Sequence, residues 1–357
     1  MPLYTVHFPV DVKEVDRAYY RQHLAGFLPR RVVDFHVHVW LKSFELETPA
    51  ETRTANWPRL VAVDNSIEDL RATYRLMLPE QEVVPLVFGY PERQFSLQLT
   101  NDYAGRVARE YGLSCLMVST PEWSAEALER QVVAGAFLGL KPYLSFAPVH
   151  IPSDQITIYD FLPHEHLEVA NDHGWIVLLH IPRPARLKDP VNLQQMLEIE
   201  RRYPGVRLVI AHIGRAYCAE DVGNAFQALR DTEHMVFDFS ANTNVEVFEE
   251  ALRAFGPRRL VFGSDLPIAR MRMRRICENG SYINLVPPGL YGDVSGDAHM
   301  REVSPEESAG LSFFMYEQLF AFRQAAEAAG LSASDLEDVF YNNAARLIAG
   351  AGGRALD

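Results

Sequence analysis

Two histidines stand one residue apart inside an apolar run, "RVVDFHVHVW", residues 31 to 40. In a β-strand, residues two apart point to one face, so His36 and His38 would converge. A second pair, His164 and His166 in "PHEHL", opens a helix-like segment. There, residues two apart point roughly 200° from each other, so that pair is expected to be solvated or half-packed. Converging imidazoles can hold a metal, yet a strand histidine taken alone is as readily a satisfied core residue. The ends of other apolar runs supply partners. "WIVLLHI" carries His180, "VRLVIAHI" carries His212, "RLVFGSD" ends in Asp265, and Lys141 lies near the end of "FLGLKPYL". Burying several such groups without partners is costly for each. A divalent ion bound by imidazole and carboxylate would supply the missing partner.

The elements that must position these residues are short apolar runs, each followed by a helical pattern. Strands are expected at 31–39, 82–89, 113–119, 137–144, 175–181, 206–213, 234–240 and 259–265. Helical patterns such as "SAEALERQVVAG" and "NVEVFEEALRAFG" lie between them. Many of the strands are nearly continuous in apolar residues, as strands buried on both sides should be. Eight strand–helix alternations predict an α/β fold, a (β/α)8 TIM barrel, whose active sites lie at the C-terminal ends of the strands. An open doubly wound sheet is the alternative, and no GxGxxG follows an early strand to support dinucleotide binding. The whole chain, 1–357, reads as one barrel domain. Residues 1–30 should form an extension with a helix against the barrel. Long connections span 40–65 and 266–304, and the second is expected to act as a lid or as a surface elaboration. Helices should fill 305–357, with Ser334 and Glu337 as a capping box.

Composition narrows the classes. The chain has 357 residues and a net charge of −13, which argues against nucleic acid or an anionic membrane as partner. Cys115, Cys218 and Cys277 form no visible disulfide framework and no CxxC motif, which fits a reducing compartment. The N-terminus shows no signal-peptide pattern, and no apolar run reaches the ~18 residues needed to span a bilayer. A cytoplasmic location is the resulting expectation.

Asp34, His36, His38, His180, His212 and Asp265, together with the closing "YNNAARL", resemble the amidohydrolase superfamily. The likeness is to its amidohydrolase-related (amidohydrolase 2) branch of lactonases, decarboxylases and hydratases, and it spans residues 31 to about 349. The resemblance implies that His36, His38, His180 and Asp265 hold one divalent metal. Zinc is the expected ion, with manganese or iron as alternatives. Asp265 would double as the base, and His212 would be acid or electrophile. Lys141 and His212 are candidates for a second metal or for substrate, and Asp34 would orient a histidine through its ring N–H. The implied chemistry is hydrolysis of a lactone, ester or amide by metal-activated water. Decarboxylation of an aromatic or unsaturated acid competes with it, and a non-catalytic ligand-binding barrel is the alternative of another class.

Arginines crowd the expected mouth. Arg183, Arg215 and Arg270 are the candidates for binding a small anionic substrate, since guanidinium forks suit carboxylates. Arg272, Arg274 and Arg275, taken singly, read as a solvated or ion-paired rim. Trp40, Trp57, Tyr282 and Tyr291 would either cover a ring substrate or pack the loops. A homo-oligomer remains open beside a monomer.

Overall fold

The structure, a computed structural model, describes residues 11–47, 53 and 57–356. The start of the expected extension and part of the 40–65 connection lie outside the described residues. Parallel strands run in barrel order as β1 (Arg31–His38), β2 (Glu82–Phe88), β3 (Ser114–Cys115), β4 (Met117–Ser119) and β5 (Gly139–Pro142). They continue as β6 (Ile176–Leu179), β7 (Arg207–Ile210), β8 (Val236–Asp238) and β9 (Leu260–Val261). β3 and β4 are two pieces of the third barrel strand, expected as one run. β1–β2–β3 and β4 through β9 pair in sequence order. The Leu116 amide bonds the Val87 carbonyl at 3.0 Å, joining the two sets. The ring closes where the Phe35 amide meets the Phe262 carbonyl at 2.9 Å and the Asp265 amide meets the His36 carbonyl at 2.7 Å. The fold is the expected (β/α)8 barrel.

Its interior is filled by side chains such as Phe35, Leu86, Phe88, Leu116 and Leu178. The C-terminal helix Asn343–Gly350 plugs the lower end with Ala344 and Ile348. Asn343 fixes that plug by donating to the carbonyls of Pro257 and Leu260 at 2.8 and 2.7 Å. The capping box nearby is made by Ser332 and Asp335, not by Ser334 and Glu337. Ser332 is the extended residue before the first turn, whereas Ser334 is already helical and cannot cap it.

β1 is irregular at one point that matters. Its register with β2 shifts between Asp34 and Val37, so an extra residue is inserted there. Such a bulge re-aims the side chains that follow it. Phe35 therefore lies in the interior, and His36 and His38 follow it inward. Asp34 faces the opposite way and accepts the hydroxyl of Tyr74, on helix Ile67–Met77, at 2.7 Å.

The connection after β9 is not a bare loop. It folds into β10 (Arg274–Glu278), β11 (Ser281–Val286) and β12 (Met300–Glu302). β10 and β11 form an antiparallel hairpin with Glu278 paired to Ser281. Its two-residue turn, Asn279–Gly280, has φ of 52° and 72°, the left-handed pair that Asn-Gly adopts at least cost. Cys277 of β10 is bonded to Cys218, which follows β7. This corrects the expectation that the cysteines are unpaired, and it removes their support for a reducing compartment. The two are 59 residues apart in sequence, so only the folded hairpin brings them together. Among the described residues no helix is long and apolar enough to cross a membrane.

The N-terminal helix Glu14–Tyr19 is clamped to this connection. Asp16, fully buried, takes both Nη atoms of Arg272 at 2.9 and 2.7 Å and the Ser312 hydroxyl at 2.8 Å. Removing one member of a buried pair strands the other charge. Asp16→Ala is therefore expected to lower stability by about 3–5 kcal/mol. Chemical denaturation measures this, and a loss under about 1 kcal/mol would contradict a clamping role.

Candidate metal centre

The C-terminal ends of the strands converge on a cavity of about 380 Å³. Its floor carries His36, His38, Lys141, His180, His212 and Asp265, so the residues singled out at the strand ends all meet here. His164 and His166 do not. They diverge at the start of helix His164–His173, one to the Tyr203 hydroxyl and the other to the Trp123 carbonyl.

The hydrogen bonds assign the ring nitrogens. His36 Nδ1 lies 2.9 Å from Asp238 Oδ2, an acceptor, so it carries the proton. His212 Nδ1 faces the Ser240 carbonyl at 3.0 Å, and His38 Nδ1 faces the Gly89 carbonyl at 3.2 Å. In each case the Nε2 lone pair is left for something else. His38 Nε2 and His36 Nε2 lie 3.2 and 3.5 Å from the same oxygen, Asp265 Oδ1. Acceptors facing one another at that range call for a cation between them. The ligand atoms of His36, His212 and Asp265 all fall within 4.8 Å of one another. His38 adjoins this triad through Asp265. His180 sits a ring further out, 5.3 Å from His212 between centroids, and its buried Nδ1 has no hydrogen-bond partner.

Burial sets the protonation states. It pushes His36 down to about 3, helped by the Lys141 charge. Burial likewise holds His180 and His212 below the ordinary histidine range. For Asp265 burial works the other way, but His38 and the other imidazoles around it outweigh burial and hold the carboxyl at about 2. Neutral imidazoles beside an ionised carboxylate are the forms that ligate a divalent cation. The residues present fit such an ion. Lys141, fully buried, brings Nζ to 3.4 Å from His36 Nε2, and burial lowers it to about 8.

Two residues that sequence patterning did not single out organise this floor. Asp238 accepts from His36 Nδ1, the His212 amide and the Ser240 amide, at 2.9, 3.2 and 2.9 Å, and from the Ser240 hydroxyl. Ser240 also reaches His36 and His212 with its hydroxyl. The signal was present in "MVFDFS", where a carboxylate and a hydroxyl share one strand face inside an apolar run. Asp34 does not take the ring-orienting role expected of it. The bulge turns it outward, where it binds Tyr74 and Ser264 and fastens β1 to the end of β9. Gly263 permits that closure, since a Cβ there would come within 2.6 Å of His36 Cβ.

The backbone at the mouth is strained. His212, Ile213, Gly214 and Arg215 run consecutively through φ of 56°, 47°, 61° and 60°. Left-handed conformation costs an L-residue about 1–2 kcal/mol, and β-branched Ile213 is the hardest to place. The turn delivers both His212 and Arg215 to the cavity. Asp265 is also left-handed, at 60°.

The expected arginines divide. Arg215 lines the cavity. Arg183 does not; its Nε is held by Asp189 Oδ1 at 3.1 Å. Nor does Arg270, which is buried and donates to Asn65, tying the two long connections together. Arg275, expected at the rim, lines the cavity instead, as does Arg53. Trp57 and Tyr282 are among the wall residues, with Tyr90, Tyr143 and Tyr217. Trp40 and Tyr291 pack elsewhere, donating to the Val63 carbonyl and accepting from the Arg272 amide.

No curated protein matches the chain in sequence. Solved structures share its fold. 5-Carboxyvanillate decarboxylase of Sphingomonas paucimobilis aligns with a TM-score of 0.55 at 11% identity, over 89% of this chain and 99% of that one. An uncharacterised TIM-barrel protein of Bordetella bronchiseptica gives 0.53 at 12% identity, over 90% and 99%. An amidohydrolase of Burkholderia multivorans with bound zinc gives 0.50 at 16% identity, over 88% and 98%. The sequence itself matches the family model described as Amidohydrolase over residues 33–349, nearly the full length of the barrel, and the chain belongs to that family.

Proposed function

We propose that the protein is a metal-dependent hydrolase acting on a lactone, ester or amide of a small carboxylate-bearing molecule. The observation that carries this reading is the convergence of His36 Nε2, His38 Nε2 and Asp265 Oδ1, two imidazole nitrogens within 3.5 Å of one carboxylate oxygen on the cavity floor. One divalent ion, zinc with manganese or iron as alternatives, would be held by His36, His38, His180 and Asp265. Such an ion acidifies water and polarises a carbonyl.

The protein's own groups do the rest. Asp265, ionised and beside the reacting centre, takes the proton from water as the oxygen attacks the acyl carbon. It returns that proton to the leaving oxygen or nitrogen when the old bond breaks. His212 and Lys141, on the same floor, are placed to bond the substrate. The substrate is a small anion, because cationic side chains line the wall of an otherwise acidic chain. Neither nucleic acid nor a membrane is invoked.

A second reading is favoured by the wall itself. Tyr90, Tyr143, Tyr217, Tyr282 and Trp57 would flank a planar ring. In that case the substrate is an aryl or unsaturated acid, a carbon–carbon bond breaks to release CO2, and the carbanion takes a proton. Turnover of a panel of lactones, esters, amides and aryl acids in ¹⁸O-water separates the two. Hydrolysis places ¹⁸O in the product, and decarboxylation yields CO2 with a carbon–hydrogen bond.

Elemental analysis is expected to find close to one divalent ion per chain. His36→Ala should lose both metal and turnover. Full turnover after rigorous chelation would overturn the metal reading. Asp238→Asn is expected to weaken metal affinity by about 10–100-fold, because it releases the His36 tautomer. Competition with a chelating dye measures this, and an unchanged affinity would show that Asp238 does not orient a metal-binding imidazole.

A further inference from the structure

Three arginines outside the cavity wall already have an anion. Arg186 donates to both oxygens of Asp221, Arg272 to Asp16 and Arg183 to Asp189. Arg275, like Arg53 and Arg215 on the same cavity wall, has none among the described residues. It is 8% exposed, and no carboxylate lies within ion-pair distance among the described residues. Its Nε donates to Asn284 at 2.8 Å and its Nη1 to the Ala241 carbonyl. Nη2 donates to nothing among the described residues, and the side chain lines the cavity. Aromatic rings of Tyr217, Tyr282 and Phe314 stand 4.6, 4.5 and 4.6 Å from its guanidinium carbon. They hold the charge in place without neutralising it.

A buried charge left unpaired is expensive, and an anion would relieve it. Arg215 stands beside the same two tyrosines in electrostatic range. It too has no carboxylate partner among the described residues, and its Nη1 is spent on the carbonyls of Ile181, Pro182 and Arg183. The hairpin that carries Arg275 is anchored two residues further on by the Cys218–Cys277 bond. Its position over the cavity is therefore set by a covalent tie to the chain that also carries His212 and Arg215.

We propose that Arg275, supplied by the β10–β11 hairpin, determines specificity by receiving a carboxylate of the substrate on Nη2. Arg215 flanks that carboxylate, and Tyr217 and Tyr282 bound the body that bears it. This rests on the reading of the cavity as the substrate site, and it adds the residue that selects the substrate's charge.

The test uses metal-replete full-length protein and calorimetric titration with benzoate, isophthalate and glutarate, with benzamide as the uncharged control. Metal content and melting temperature are recorded for each variant. The wild type is expected to bind at least one of the carboxylates. Arg275→Gln should weaken that binding by about 30-fold, the weight of one charge-assisted hydrogen bond, and leave benzamide unchanged. Arg275→Lys, which keeps the charge and fills the cage, should still lose about tenfold because it lacks the fork. It carries the test should Arg275→Gln fail to fold. Equal carboxylate affinity in the wild type and the folded variants overturns the proposal. So does failure of the wild type to bind any of the three acids. A wild type lacking metal but still binding carboxylate through Arg275 would instead sink the metal reading and leave this one standing.

Discussion

The site depends on one carboxylate that never meets solvent. Asp238 is fully buried, and its charge survives there because four donors converge on it. Burial opposes the charge, yet the His36 imidazole and the Ser240 and His212 donors hold the carboxyl below its usual range. Each bond also performs a positioning task. The bond to His36 Nδ1 fixes a tautomer and leaves Nε2 open. The bonds to the His212 amide and to Ser240 hold the chain leaving β7 against the end of β8. A carboxylate satisfied by fewer donors would be neutral or disruptive at this depth.

Around this anchor, two backbone irregularities aim side chains where a regular barrel would not. The bulge in β1 puts Phe35 and His36 both inward and sends Asp34 out to Tyr74. The left-handed run from His212 to Arg215 turns the chain off β7 so that an imidazole and a guanidinium reach one cavity. The left-handed run costs backbone energy. Strain of this kind persists only where surrounding structure over-determines it. The closed hydrogen-bonded ring and the Asp34–Ser264 clasp provide that constraint directly beneath the site.

The same physics explains what the sequence could disclose. Strand ends were legible because apolar runs terminating in His180, His212 and Asp265 mark where a buried strand meets a polar mouth. Strand parity separated His36–His38 from His164–His166. Asp34 was expected, from the family likeness, to orient a histidine; one inserted residue turns it outward instead and leaves no trace in the residue types. Asp238 was overlooked because a lone aspartate in "MVFDFS" is read as an interruption until its donors are known. The disulfide was hidden by distance along the chain. The hairpin that closes it was signalled by Asn279–Gly280, and alternation along that hairpin, rather than proximity to Asp265, makes Arg275 and not Arg270 a wall residue.

The legible residues and the hidden ones lie on different parts of the molecule for a reason. The groups competent for metal chemistry sit on the barrel strands, whose hydrogen-bonded ring leaves little freedom in where their ends point. Several of the groups that would choose a substrate sit on the additions: Trp57 in the connection after β1, and Arg275 and Tyr282 in the hairpin after β9. Loops on a rigid scaffold change without disturbing it. The match to the amidohydrolase family over residues 33–349 spans both the strands and these additions. At 11% identity, the likeness to a decarboxylase is one of fold. Reaction and substrate are accordingly separable properties of this fold. On the proposed reading, the ring of strands would hold the groups that activate a bond, and the disulfide-tied hairpin would carry the guanidinium that meets the substrate.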